Sequence, residues 1–211
     1  MLVGKTITEE TIKRLYPNAK PDEYVNLLSK EALDTGSQGE YQEEAIKTVN
    51  GLKERYGEGA STLICIYNAT GRKWTYVSSH DWHGEIYSPY DTEIYNGQWS
   101  VFLHTKAGII TGSAGCVVYR IEKANTDLFI GWSNPYLVGT TNTFHVEMQQ
   151  ENYWTGEAPT FSLEKMYDPV KSDPNSVITL EQPINSPTFH IDGSIGQTSS
   201  PLLMVTVSTK M

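Results

Sequence analysis

Cysteine is nearly absent: 211 residues contain only Cys65 and Cys116. Two thiols cannot staple a domain of this size, so the fold must rest on buried apolar surface, which a chain this long can provide. Both lie in apolar runs, TLICIYN and GCVVYR, and read as buried free thiols of a reducing, cytoplasmic compartment. A bridge between them would require neighbouring strands. Long hydrophobic runs are missing too. Nothing approaches the roughly 20 apolar residues of a membrane span. The opening MLVGKTITEETIKRLYP lacks the apolar stretch of a signal peptide. Positive charge is scarce: 16 Lys and Arg stand against 25 Asp and Glu, a formal net charge of -9. The longest basic clusters are IKR and GRK. Nucleic acid and anionic bilayers are therefore disfavoured as partners, because phosphate-rich surfaces need a basic patch. A zwitterionic head group is not excluded. The chain also has no G-x-G-x-x-G, no P-loop and no G-x-S-x-G; TGSAG (Thr111 to Gly115) has the wrong glycine spacing. No cofactor and no catalysis are expected from these motifs.

What is present changes character near Gly57. Before it, three segments read as helices. ITEETIKRLYP offers Thr6 or Thr8 as N-cap and stops at Pro17. PDEYVNLLSKEALDTG offers Asp22 as cap and Gly36 as stop. EYQEEAIKTVNGLKERYG carries an apolar stripe of Tyr41, Ala45, Val49, Leu52 and Tyr56 at a spacing near 3.6. Its acids come early and its bases late, which suits the helix dipole, and Gly57 is a natural C-cap.

After Gly57, short segments rich in β-branched and aromatic residues alternate with turn chemistry. STLICIYNATG, RKWTYVSSHDW, QWSVFLHTK, GCVVYRIE, TDLFIGWS, NTFHVEMQQ and LLMVTVSTK all read as strands. LLMVTVS alternates, with Leu202 and Met204 on one face and Leu203, Val205 and Val207 on the other. TLICIYN is apolar throughout and belongs in mid-core. From Tyr167 to Ser200 the chain reads as loop with edge strands such as SVITL and TFHID. Residues 1–60 form an N-terminal helical segment and residues 61–211 a β-sandwich domain.

The stretch SHDWHGEIYSPYD (Ser79 to Asp91) concentrates ionisable and aromatic groups. Fully extended, it would turn Asp81, His83 and Glu85 to one face, where they could hold a metal. The competing reading is a polar, exposed strand face, since metal sites usually draw on more than one element. The aromatics are the better clue: 13 Tyr and 5 Trp. Trp82, Tyr87, Tyr90, Tyr95, Tyr136 and Tyr153 fall in turn-like segments. Such rings suit stacking on a sugar or enclosing a quaternary ammonium, against the plainer reading of loop anchors.

The segments YNATG, HDW-x-G, NGQW-x-x-FLH and VVYR…WSNP resemble the plant 23 kDa jasmonate-induced protein family, from about Gly4 to Val146. That resemblance implies a cytosolic stress or defence protein and brings no mechanism. More loosely, N-x-TG-x-x-W-T, TG-x-x-G-x-x-x-Y, LFIGWSNPY and the final LLMVTVSTKM resemble the motif order of actinoporins. These are pore-forming cytolysins on a β-sandwich that fungal fruit-body lectins share. Actinoporins bind a phosphocholine head group. Carried over, that site implies Ser133 and Pro135 from SNPY, with Tyr136 beside them, Ala114 at a small apolar position, and Tyr167 and Ser88 as further matches. The departures argue against pore formation. The segment after SNPY is LVGTTNTFH, with Phe144 its one large aromatic, and the front helix carries Glu43 and Glu44, a poor membrane inserter.

The sequence thus predicts a mainly β protein, an actinoporin-like β-sandwich with an N-terminal helical segment packed on it. It predicts non-catalytic, lectin-like binding of a glycan or zwitterionic lipid head group at one end of the sandwich, with a membrane surface as a further partner. Ser133 would donate to a phosphate or sugar hydroxyl, Pro135 would shape the loop, and Tyr136, Tyr90 and Trp82 would offer ring faces. Ser88, Ala114 and Tyr167 complete the expected site. The alternatives are a membrane-permeabilising cytolysin, a protein-interaction protein without a small ligand, and a metal enzyme using Asp81, His83 and Glu85. Oligomeric state has no signature in the sequence.

Overall fold

The computed structural model describes residues 1–36, 39–137, 139–155, 161–172, 176–178 and 188–210. In chain order the elements are β1 (Leu2–Val3), α1 (Glu9–Leu15), a 3-10 turn (Pro21–Glu23), α2 (Tyr24–Gly36), α3 (Glu40–Tyr56), β2 (Ser61–Ala69), β3 (Trp74–His83), β4 (Glu85–Ile86), β5 (Glu93–Ile94), β6 (Gln98–Thr105), β7 (Ser113–Ile121), β8 (Thr126–Asn134) and β9 (Thr143–Gln150). A second 3-10 turn (Leu163–Met166), α4 (Tyr167–Ser172), β10 (Ser176–Ile178), β11 (Phe189–Ile195) and β12 (Leu202–Thr209) follow.

Two six-stranded sheets form the sandwich. The first runs β1-β6-β2-β12-β11 with β4 also on β6; the second runs β10-β9-β8-β7-β3-β5. Neighbours are antiparallel except β12 with β2 and β10 with β9. All seven expected strands form. SVITL and TFHID contribute β10 and β11, both edge strands, and Thr179 and Leu180 lie outside the described residues. The front segment also supplies a strand: β1 pairs with β6.

The pleat explains the core. Ile64, Ile66, Phe102, Leu203, Val205 and Val207 of the first sheet meet Trp74, Val117, Tyr119, Leu128, Ile130, Trp132, Phe144 and Val146 of the second. The alternate residues Leu63, Cys65, Tyr67, Trp99, Val101 and Leu103 point outward and are covered by Ala32 of α2 and Ala45, Val49 and Leu52 of α3. That is why TLICIYN shows no alternation: β2 is buried on both faces. Burying each large side chain on either face contributes about 2 kcal/mol. Leu202 and Met204 pack toward the helices while Leu203, Val205 and Val207 face the core, as the alternation predicts.

The helices begin and end for local reasons. Thr8 is the N-cap of α1, extended at φ -113° and ψ 167°, without a side-chain capping bond. Asp22 does not cap α2. Pro21, with its preset φ, opens the 3-10 turn that runs straight into α2, and Glu23 Oε2 accepts from Lys20 N at 2.7 Å. Asp22 lies inside that turn. α3 ends at Gly57, whose φ of +88° favours glycine and whose N–H donates to Lys53 O. The outer face of the second sheet, Cys116, Val118 and Phe129, is covered by Trp154, Met166 and Val170. Cys65 and Cys116 are buried free thiols on outer faces of opposite sheets, and so have no route to each other. Among the described residues no helix is long and apolar enough to cross a membrane.

Candidate functional site

The antiparallel register of β7 and β8 sets Ser113 beside Asn134 and Ala114 beside Ser133, so the start of one strand meets the end of the other. β8 stops there because Pro135 has no N–H to extend the ladder. The loop before β7 presses against this turn at Gly112. A Cβ there would stand 2.2 Å from Asn134 O and 3.1 Å from Tyr136 N, an approach only glycine permits. Asn134 Nδ2 donates to Ser61 O and to Ser199 O, both at 3.1 Å, and pins the turn to the facing sheet. On the other side His83, the last residue of β3, pairs with Ala114.

These elements enclose an open pocket of about 290 Å³. Ala114 and Ser133 line it with Thr111 and Gly112; Pro135, Tyr136 and Tyr167 flank it; His83, Ile110 and Leu137 stand around them. It lies close to the lower size limit for small-ligand sites. Ser133 is buried, and its hydroxyl has no hydrogen-bond partner among the described residues. A second concavity shares Ser133, Pro135 and Tyr167 and adds Thr140, Thr143 and Lys171. Lys171 Nζ stands 5.0 Å from the Tyr167 ring centre and 2.7 Å from Asp168 Oδ1. The rim is apolar: Ile110 is 73% exposed, Leu137 69% and Tyr136 48%, and Ile109, next to Ile110 in the chain, is 84% exposed.

Five of the eight expected residues, Ala114, Ser133, Pro135, Tyr136 and Tyr167, therefore meet at one pocket. The other three do not line it. Trp82 stands behind: its ring is 5.3 Å from that of Tyr167, and Nε1 donates to Leu163 O and Glu164 O. It positions Tyr167. Ser88 is buried elsewhere, its Oγ accepting from Leu103 N at 3.0 Å. Tyr90 packs on the inter-sheet core, stacked on Tyr76 at 5.7 Å and edge-on to Phe102 at 5.0 Å. Burial, and then the charge of Asp81, holds its hydroxyl well above the usual tyrosine range. Both residues belong to a segment that folds back onto the sandwich; turn chemistry in the sequence does not reveal where a turn lands. Phe144 is also core rather than rim. The residues that sequence reasoning missed are Thr111 and the rim pair Ile109-Ile110. Two isoleucines side by side in the loop AGIITG were the available signal.

Asp81, His83 and Glu85 do not share a face. A bulge in β3 between Asp81 and His83 breaks the alternation, and Gly84 at φ +102° turns the chain so that Glu85 joins the other sheet on β6. His83 stands edge-on to Tyr167, ring centres 5.2 Å apart. Asp81 Oδ1 lies 3.2 Å from His104 Nε2. Among the described residues no three His, Cys, Asp or Glu side chains gather to hold a metal.

Asp81, itself exposed, is the outer end of a relay whose other members are buried. His104 Nδ1 is 2.9 Å from Ser113 Oγ, which is 2.8 Å from Thr62 Oγ1. The residue types are those of a hydrolytic triad, but the carboxylate sits on Nε2 and the serine on Nδ1. Ser113, Thr62 and His104 are fully buried, so a substrate carbonyl has no approach to the hydroxyl. An ionised Asp81 only accepts, so Nε2 carries a proton. The relay ties β3 and β7 of one sheet to β6 and β2 of the other, immediately behind the pocket.

Comparison with known proteins adds three findings. A profile of the family described as Nakanori-like protein matches residues 3–209. The chain is 41% identical over 116 residues to the 23 kDa jasmonate-induced protein of Hordeum vulgare, a match covering 52% of this chain and 54% of that one. It thus spans about half the length of this curated relative. A crystal structure of the lipid binding protein Nakanori superposes with a TM-score of 0.82 at 29% identity, covering 99% of this chain and 100% of the other.

Proposed function

The chain belongs to the Nakanori-like family, and from that premise we propose that it is a non-catalytic stress protein that binds a lipid head group of the phosphocholine type at the pocket between β7 and β8. The lipid-binding Nakanori structure and the jasmonate-induced relative support the class of function. The observation that carries the reading to this chain is the union of a small pocket with an apolar rim. Ile110, Tyr136 and Leu137 line it and are exposed, and Ile109, next to Ile110 in the chain, is exposed as well. Exposed apolar side chains clustered about a polar pocket mark a surface that another apolar phase covers. The interfacial zone of a bilayer provides both that phase and the head group.

The pocket chemistry favours a zwitterion. Tyr136 and Tyr167 offer ring faces for a quaternary ammonium. Ser133 offers a hydroxyl for a phosphate oxygen, while that of Thr111 is already engaged with the backbone of Gly108. Lys171, beside Tyr167 but already paired with Asp168, adds a modest positive field without making an anion site. The net charge of -9 opposes attachment to anionic lipid. Binding proceeds without perforation. The apolar stripe of α3 (Ala45, Val49, Leu52) already lies against the sheet, so releasing it toward lipid would expose the outer face of β2 and β6.

The test is titration of the protein with soluble phosphocholine, with a neutral glycan set in parallel, followed by flotation with phosphatidylcholine and sphingomyelin vesicles. The expected result is head-group binding weakened about tenfold or more in Ser133→Ala and Tyr136→Ala, with entrapped dye retained. Glycan binding at the same residues, or vesicle binding indifferent to both changes, overturns the reading.

A further inference from the structure

Another cavity, sharing no lining residue with this pocket, lies among the helices. Its volume is about 210 Å³, the share of about seven water molecules. It is walled by α1, α2, α3 and the strap of residues 5–7. The strap is held in place: Ile7 N donates to Asn96 O at 2.9 Å. The chain also presses on Gly97, where a Cβ would meet Lys5 O at 2.6 Å. α1 is anchored by fully buried Ile12 and by Tyr16, whose hydroxyl donates to Glu31 Oε1 at 2.6 Å.

The lining divides by chemistry. Ile7, Leu15 and Tyr41 are apolar or aromatic, and Leu15 is 49% exposed, an apolar side chain with no protein cover on this side. Lys5 and Arg14 complete the lining, and neither has an ion pair or hydrogen bond with another described residue. Two exposed bases thus face one cavity in a protein carrying nine excess negative charges. The one acid in the wall, Glu31, is engaged by the Tyr16 hydroxyl and lies 3.9 Å from Lys30 Nζ. The field at the cavity mouth is therefore positive above an apolar wall.

We infer that this cavity is a binding site for a small organic carboxylate with an apolar body. The carboxylate meets Arg14, whose planar fork matches two carboxylate oxygens, and Lys5. The body covers Ile7, Leu15 and Tyr41. A cation is repelled, and inorganic phosphate leaves the apolar wall uncovered. Occupancy would clamp α1 to α3 and so raise the temperature at which the helical front melts.

The experiment titrates the full chain, amide signals followed by NMR, with octanoate, octanol and octylamine below their micelle concentrations. Octanoate is expected to shift residues 5–15 and 41 and to outcompete octanol, with octylamine inactive there. Arg14→Gln should weaken octanoate about tenfold and Leu15→Glu should abolish it. Both side chains are exposed, so unchanged circular dichroism will show the fold intact. Vesicle binding should persist in both variants, which separates this site from the head-group pocket. Equal shifts from all three probes, octanoate binding untouched by Arg14→Gln together with Lys5→Gln, or shifts centred on Ser133 instead would each overturn the inference.

Discussion

The carboxylate of Asp81 on β3 stands 3.2 Å from Nε2 of His104 on β6, so one hydrogen bond spans the two sheets directly behind the pocket. His104 is fully buried, and its other nitrogen is held by Ser113. Replacing His104 with Leu removes both bonds and leaves the buried Ser113 hydroxyl without its ring partner. We expect a loss of about 2–4 kcal/mol in urea unfolding. Asp81→Asn keeps an acceptor for Nε2–H and should cost about 1 kcal/mol. Equal losses would mean that the relay does not tie the sheets.

Gly112→Ala tests the turn that shapes the pocket. The new methyl would meet the Asn134 carbonyl, which is backbone and cannot rotate away. We expect about 2 kcal/mol of destabilisation from the forced shift and head-group affinity lowered more than in Gly51→Ala, where a Cβ meets only Arg55 Nη1 at 3.8 Å. Thermal melts and phosphocholine titration check both effects.

The rim makes a prediction of opposite kind. Ile109 and Ile110 are exposed and contribute little to the fold. Changing both to Ser should leave the melting temperature unchanged and reduce vesicle partition roughly tenfold to thirtyfold, at about 1 kcal/mol for each half-buried isoleucine. Binding of soluble phosphocholine should persist. Loss of both together would place these residues in the pocket rather than at a membrane contact.

Burial pushes the Cys65 thiol from an ordinary 9.0 up to about 12, slightly relieved by the N-terminal ammonium, and burial pushes Cys116 the same way. At pH 8 both stay protonated and covered in the folded chain, so a disulfide reagent should label neither until denaturant is added. The sign for stability follows. The folded value is the higher one, so the unfolded chain releases its protons first. Stability is unaffected by these thiols below about pH 9 and declines as pH rises toward 12. Stability against urea measured between pH 8 and 11 should fall, and fall less steeply in Cys65→Ala.

Strand existence was legible because each segment announced itself locally through β-branched residues between turn residues. The α3 stripe was legible because period 3.6 survives any packing partner. The carried-over motif SNPY was legible as well, since Pro135 ends β8 by its own chemistry. The cap role given to Asp22 and the shared face offered for Asp81, His83 and Glu85 failed for one reason: a proline-led turn and a β-bulge each shift the phase of a pattern by a residue, and the residue types barely record it. Ser88 and Tyr90 were misplaced because a segment of turns carries no information about the surface it covers.

The sequence by itself determined the class of this protein. Its alternation made two-sided strands, and its scarcity of cysteine left packing as the source of stability. These are properties of neighbours along the chain. The tertiary structure alone decided where the chemistry gathers. Ala114, Ser133, Pro135, Tyr136 and Tyr167 come together only because β7 and β8 pair in one register and α4 returns to that end of the sheet. Lys5 and Arg14 face one cavity only because the strap and α1 come together with α2 and the start of α3. Such contacts join residues tens of positions apart, and their free energy belongs to the folded assembly rather than to any segment of it.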